Sequence, residues 1–234
     1  MIMKYTTLLF DLDGTLLDTL SDLHLAVFHA LHAFHMPQRS TDEVRMMVGN
    51  GIKKLIDRAV PDGTPPEKTA QVLEVFRDYY SKNSRINTAP YDGVLVSLKQ
   101  LSQKGYQMAV ISNKIDSAVK ELNRDFFAAY IPVAIGDREG MKKKPAPDSL
   151  YEAMTLLGVT KEECLYIGDS DVDIETAKNA GIPCIGCAWG FRGREFLREH
   201  GLDDAWILEK PTDLPAFLEK VEHLNTKKGL FCHE

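Results

Sequence analysis

Residues 8–19 read LLFDLDGTLLDT, with Asp11 and Asp13 one leucine apart where an apolar run stops. Carboxylates so close repel each other, and leaving either one unpaired in a partly dry cleft is costly. A cation between them reverses the balance. Three more acids, Asp169, Asp171 and Asp173, crowd the stretch GDSDVD. Asp11 and Asp169 could each lend an oxygen to a hard divalent ion, with water completing an octahedron, the usual way Mg²⁺ is held beside phosphate. On an extended backbone Asp11 and Asp13 share one side, so both could face the same cleft.

Positive groups and donors stand at other apolar-run ends. Ser112 offers a hydroxyl, and backbone N–H groups near Asn113 are expected at a helix N-terminus, a natural anion site. Gly14 lets the loop backbone approach a ligand, and Thr15 adds donors. KKKPAPD supplies Lys142, Lys143 and Lys144, one of which can balance a phosphoryl oxygen and a nucleophile. Acids, divalent ion, lysine and donors together describe a phosphoryl-transfer centre.

The elements that must position these groups follow from periodicity. Apolar, β-rich runs occur at 5–10, 106–112, 131–136, 164–169, 182–188 and 205–209, with helical patterns near 93–104, 115–124, 147–157, 172–180 and 192–200. Strands alternating with helices predict βαβ units and a parallel sheet, whose ligands gather at the strands' carboxyl ends. From Ser21 to Arg85 only helical patterns occur, expected as helices at 21–35, 41–48, 51–59 and 66–83. This stretch predicts a smaller inserted domain whose two connections, near Asp18–Leu20 and Asn87–Pro90, lie close together.

DLDGTLLD, ISN, KKPAPD and GDSDVDI, in this order, resemble the four motifs of the haloacid dehalogenase superfamily of phosphohydrolases. The resemblance implies an α/β fold: a Rossmann-like parallel-sheet core of residues 1–17 and 88–234, with an inserted all-helical cap domain at 18–87 of the C1 type. It implies Asp11 as nucleophile through an aspartyl-phosphate, Asp13 as general acid/base, Ser112 as the phosphate-binding hydroxyl and Lys144, directly before PAP, as the lysine. Mg²⁺ would be held by Asp11, the Asp13 backbone carbonyl and Asp169, with Asp173 supporting it through water or a hydrogen bond. Lys142 and Lys143 are then solvated charges, and Asp171 a helix N-terminal acid.

A closer similarity, carried by LLDTLSDLHLAV, VGNGIKKLIDRAV and PYDGVLVSLKQLSQKGYQMAVISNK, is to bacterial phosphoglycolate phosphatases. It makes Gly49, Asn50 and Gly51 the substrate-facing loop of the cap, with Lys53 or Lys54 available for a carboxylate, beside the substrate contacts already expected at Gly14 and Asn113; GNG is equally a good helix-to-helix turn. The expected activity is Mg²⁺-dependent hydrolysis of a small phosphorylated metabolite, 2-phosphoglycolate foremost. Alternatives are a sugar phosphate, nucleotide or pyrophosphate as substrate, a phosphomutase, or a non-catalytic regulator. Leu23 stands where β-phosphoglucomutase-like members tend to carry histidine, which weighs against the mutase; the intact acid and lysine set weighs against the regulator.

The totals exclude other classes. A net charge of −6 leaves no basic surplus for a nucleic-acid backbone or an anionic membrane. No apolar stretch reaches membrane-spanning length, and the start of the chain is too short in apolar residues for a signal peptide, so a cytoplasmic monomer or homodimer is expected. Cys184 and Cys187 read as buried strand thiols, His24, His29, His32 and His35 as a solvated helix face, and TKKGLFCHE as a loosely ordered tail.

Overall fold

The computed structural model of the 234-residue chain describes residues 4–49 and 51–229, with side chains described to residue 223. Six parallel strands form one sheet in the order β5-β4-β1-β6-β7-β8. They are β1 (Thr7–Phe10), β4 (Gln107–Ile115), β5 (Val133–Asp137), β6 (Cys164–Gly168), β7 (Cys184–Cys187) and β8 (Ile207–Leu208). β1 is central, and its side chains alternate between two cores. Leu8 and Phe10 join Leu98 of α5 (Val94–Gln103), Leu122 of α6 (Asp116–Phe126) and Leu218 of α10 (Leu214–Gly229). Leu9 joins Leu150 of α7 (Asp148–Leu157) and Ala177 of α8 (Asp171–Ala180) on the other face. Burial on both faces explains the unbroken apolar run of β1. Because β1 lies between β4 and β6, the chain reverses its direction of winding there, and a crevice opens at the strands' carboxyl ends.

Strand bounds differ from expectation mainly at β4, which runs on to Ile115 with a register shift after Ile111. Cys184 and Cys187 lie in β7 but in opposite cores, so they share no site. The tail is helical as far as Gly229, where α10 ends; the residues beyond, Cys232 among them, lie outside those described.

The inserted stretch is all-helical: α1 (Leu20–Ala33), α2 (Thr41–Met47), α3 (Gly51–Ala59) and α4 (Pro66–Asn83). Leu23, Val27, Ala30 and Leu31 of α1 face Val72 and Phe76 of α4 in a core of their own. A capping box, with Ser40 and Glu43 exchanging side-chain bonds to each other's N–H, starts α2. Histidines do not converge: His24 bonds Arg39 and Thr41, His29 stacks on Tyr79, and His32 on Phe28. The two connections pair as an antiparallel ribbon of β2 (Leu17–Asp18) and β3 (Ala89–Pro90).

Asp22, which the sequence did not single out, ties this junction. Its buried carboxylate accepts from Asn87 N–H and Nδ2 and from Thr88 N–H and Oγ1, at 2.8–3.0 Å. Asp22→Ala strands those donors in dry surroundings, and is expected to cost about 3 kcal/mol in urea unfolding. A loss under about 1 kcal/mol would mean that water replaces the carboxylate there.

Candidate active site

β1 stops at Phe10 and the chain bends at Leu12, so Asp11 and Asp13 do not lie on one continuous extended strand as expected. Three N–H groups, of Thr15, Leu16 and Leu17, point back to the Leu12 carbonyl. Trp189 Nε1 donates to the Thr15 carbonyl at 2.9 Å and braces the turn from the segment after β7. Sheet register sets the rest: Phe10 lies beside Val110 of β4 and Ile167 of β6, so Ser112, still within β4, and Asp169, just past β6, lie level with Asp11 at one rim.

Lys144 is the hub. Its ammonium donates to Asp11 Oδ1 at 2.7 Å and Asp173 Oδ1 at 2.7 Å, and lies 3.0 Å from the Tyr166 hydroxyl. Among the three lysines Lys144 alone turns inward, its side chain 4% exposed; Lys142 and Lys143 are exposed, and Lys143 pairs with Asp137. Asn113 clamps the lysine's backbone, donating to its carbonyl and accepting from its N–H. This corrects the expectation for Asn113: it lies on β4, three residues before α6, and not at a helix N-terminus. Ser112 is buried; its Oγ accepts from the Lys114 N–H, and its own O–H remains a donor.

On the β6 side, Ser170 caps α8 and Asp173 closes the capping box, accepting from both the N–H and Oγ of Ser170. That local rule fixes Asp173 beneath Lys144. Asp171 sits in the first turn of α8, as expected of a helix N-terminal acid. Asp169 accepts from the Phe191 N–H at 2.7 Å, and Thr15 Oγ1 reaches it at 3.4 Å. Gly14 is required here: with φ +89°, any Cβ would come 2.4 Å from Asp169 Oδ2.

Several contributors had escaped sequence reading. Asp13 pairs with Lys114 at 2.8 Å, and Lys114 Nζ also lies 2.9 Å from the Tyr80 hydroxyl of α4. Arg192 reaches from the segment after β7 to the carbonyls of Met46 and Val48, while Phe191 inserts in the helical insert's core. Gly49 follows directly, and a Cβ there would lie 3.7 Å from Arg192. Gly49 and Gly51 both have positive φ, so the glycine pair does make the α2–α3 turn; Asn50 between them lies outside the described residues. Lys114 had a signal, a lysine directly after Ser-Asn at a strand end. Tyr166 and Arg192 had none.

The profile of haloacid dehalogenase-like hydrolases matches residues 8–187. The chain belongs to that family. A phosphoglycolate phosphatase of Aquifex aeolicus is 30% identical over 91% of this chain and 96% of its own. The pyrophosphatase PpaX of Listeria monocytogenes is 31% identical over 94% and 99%. A solved structure from Lactobacillus delbrueckii superposes with a TM-score of 0.84 at 33% identity, covering 95% of this chain and 98% of that one.

In this haloacid dehalogenase-like hydrolase, carboxylate oxygens of Asp11, Asp169 and Asp173 lie within 4.8 Å of one another, all buried. No other such convergence of His, Cys, Asp or Glu occurs among the described residues. Burial, then the Asp173 charge, pushes the Asp11 carboxyl up to about 7 although Lys144 opposes it. Burial, Asp173 and Asp11 likewise raise Asp169 well above the usual carboxylate range. Burial alone would lower Lys144; Asp11 and Asp173 outweigh it and hold the ammonium firmly charged. Three acids therefore share one lysine. An anionic, all-oxygen, buried donor set with surplus negative charge fits a hard divalent cation such as Mg²⁺.

Proposed function

We propose that the chain is a Mg²⁺-dependent phosphatase that hydrolyses a small phosphomonoester, 2-phosphoglycolate foremost, through an aspartyl-phosphate on Asp11. The observation that carries the reading is Lys144 bridging Asp11 and Asp173 beside Asp169 at the crevice of a parallel sheet. Asp11, Asp169 and the Asp13 backbone carbonyl would hold Mg²⁺, with Asp173 in support; when bound, the ion supplies charge to offset the phosphoryl oxygens.

The chain's own groups do the rest. Asp11 attacks phosphorus, and the bond from phosphorus to the ester oxygen breaks. Asp13 gives its proton to the departing alkoxide, then takes one from water as that water attacks the aspartyl-phosphate. Phosphate leaves, and the Asp11 carboxylate returns. Lys144 keeps Asp11 oriented and balances charge on the transferred group, while Ser112 donates its hydroxyl to a phosphoryl oxygen. General acid/base catalysis of this kind typically contributes about 10²–10⁴-fold.

Residues 18–87 act in this reading as a cap domain on a core of 1–17 and 88–234, opening for substrate and shutting out bulk water. Its separate apolar core and the paired crossing at β2–β3 support that division. Gly14 and the Gly49–Gly51 loop are assigned to substrate contact, and the compartment to the cytoplasm.

Phosphate release from 2-phosphoglycolate, sugar phosphates, nucleotides and pyrophosphate, with Mg²⁺ and with chelator, tests the proposal. Turnover that needs the metal, with the highest kcat/KM on 2-phosphoglycolate, is expected. A preference for pyrophosphate, the compound in the Listeria relative's name, would move the substrate while keeping the chemistry. No turnover of any phosphate by folded, Mg²⁺-replete protein would sink the hydrolase reading.

A further inference from the structure

Two lysines serve the two aspartates of DLD separately, Lys144 at Asp11 and Lys114 at Asp13. Lys144 serves Asp11, where phosphoryl charge must be balanced. Lys114 stands 2.8 Å from Asp13 Oδ1, where the departing oxygen must be protonated if the phosphatase reading holds. No phosphoryl oxygen needs a cation there, since the acid/base faces the leaving group. Lys114 nonetheless brings a full charge to this side at 11% exposure, with the Tyr80 hydroxyl 2.9 Å away and the Tyr80 ring 5.1 Å from Nζ. Lys114 donates to Asp13 and to the Tyr80 oxygen, which leaves one ammonium N–H and the phenol O–H as neighbouring donors in mostly dry surroundings, and such a pair can hold a carboxylate.

We propose that Lys114 of the core and Tyr80 of the helical insert bind a carboxylate carried by the leaving alcohol, and so select phosphate esters of 2-hydroxy acids. The proposal rests on the phosphatase reading of Asp13. Lys114 already lies at hydrogen-bond distance from the group that serves the ester oxygen, so a carboxylate one carbon from that oxygen arrives within its reach. Other cations nearby are less suited. On the insert Arg45 pairs with Asp42, and Lys53 and Lys54 are exposed on α3; on the core Arg192 is engaged with backbone carbonyls. The pair also spans core and insert, so a carboxylate held by both residues ties the two together at the moment of reaction.

The test compares 2-phosphoglycolate with 2-hydroxyethyl phosphate, which replaces the carboxylate by an uncharged hydroxymethyl of similar size. With Mg²⁺ present, Lys114→Met is expected to lower the ratio of kcat/KM for the acid over the alcohol by about 100-fold. Tyr80→Phe is expected to lower it by about 10-fold, while Lys114→Arg, which keeps the charge, retains most of it. In the Asp11→Asn background, calorimetry reads binding without turnover and should show the same loss for the acid and none for the alcohol.

If Lys114→Met lowers both esters equally, the lysine only props Asp13 and the proposal is overturned. Melting curves of each variant separate misfolding from function, and Tyr80→Phe and Lys114→Arg judge the proposal if Lys114→Met does not fold. Wild-type protein that turns over no phosphate would overturn the phosphatase reading instead. Calorimetry on wild type and Lys114→Met would then still decide whether the lysine holds the carboxylate.

Discussion

Asp11→Asn is expected to lower kcat/KM for phosphate release by at least about 10⁴-fold and, in chelator at pH 7.5, to raise the melting temperature. The first effect follows from the proposed mechanism: a carboxamide cannot supply the anionic oxygen that it requires to attack phosphorus. The second follows from burial. Asp11 shares its cavity with Asp169 and Asp173, and one ammonium does not offset three carboxylates. Its carboxyl stands at about 7 against an ordinary value of 3.8. A raised acid stabilises the fold fully only below the ordinary value, and that contribution is lost as pH rises through about 7. The stability gap between Asp11→Asn and wild type, both chelated, should therefore widen in the variant's favour from pH 4 to pH 8. Mg²⁺ should narrow it, because the metal stabilises the wild type more. A gap that stays constant with pH would show that Asp11 is ionised at little cost and that the cavity is wetter than its burial implies.

What the sequence made legible was whatever obeys a local rule. β1 is apolar because it is covered on both faces, and that run led straight to Asp11. GDSDVD carries its own capping box, so the place of Asp173 follows from helix-starting chemistry. Lys144 could be picked from its triplet on the resemblance, and the structure gives the physical reason: it alone turns away from solvent. Other contacts were invisible because they join residues far apart in the chain. Asp22 meets Asn87 and Thr88, Lys114 meets Tyr80, and Arg192 meets Met46. The last two cross between the core and the helical insert and the first ties the insert's two ends, and no periodicity encodes where one packed unit meets another. Asn113 marks a subtler failure. A helical pattern expected from 115 put Asn113 at a helix N-terminus, but pairing with β5 extends β4 to Ile115 and turns Asn113 toward Lys144 instead.

Lys144→Met should damage stability as well as activity, and the two losses should respond differently to metal and to pH. Methionine keeps the length and apolar stem but leaves Asp11, Asp169 and Asp173 without their shared cation. Removing one partner of a buried ion pair typically costs about 3–5 kcal/mol, which for a chain of this size is a drop in melting temperature on the order of 10 °C. The carboxylates have one escape, which is to take up protons. Asp11, already at about 7 with Lys144 beside it, moves higher once the ammonium is gone. The loss in chelated protein should therefore be small near pH 5, where protons are plentiful, and large at pH 8. Mg²⁺ at pH 8 should restore much of the stability, since a divalent ion replaces the missing charge. It should not restore turnover, because in the proposed mechanism the lysine also orients Asp11 and balances the transferred group; kcat is expected to stay about 10²–10³-fold down. Thermal unfolding at the two pH values, with and without Mg²⁺, alongside phosphate release, measures all of this. Equal stability of variant and wild type in chelator at pH 8 would mean that the three acids do not depend on Lys144. Stability and turnover returning together on adding Mg²⁺ would reduce the lysine to a structural counter-charge.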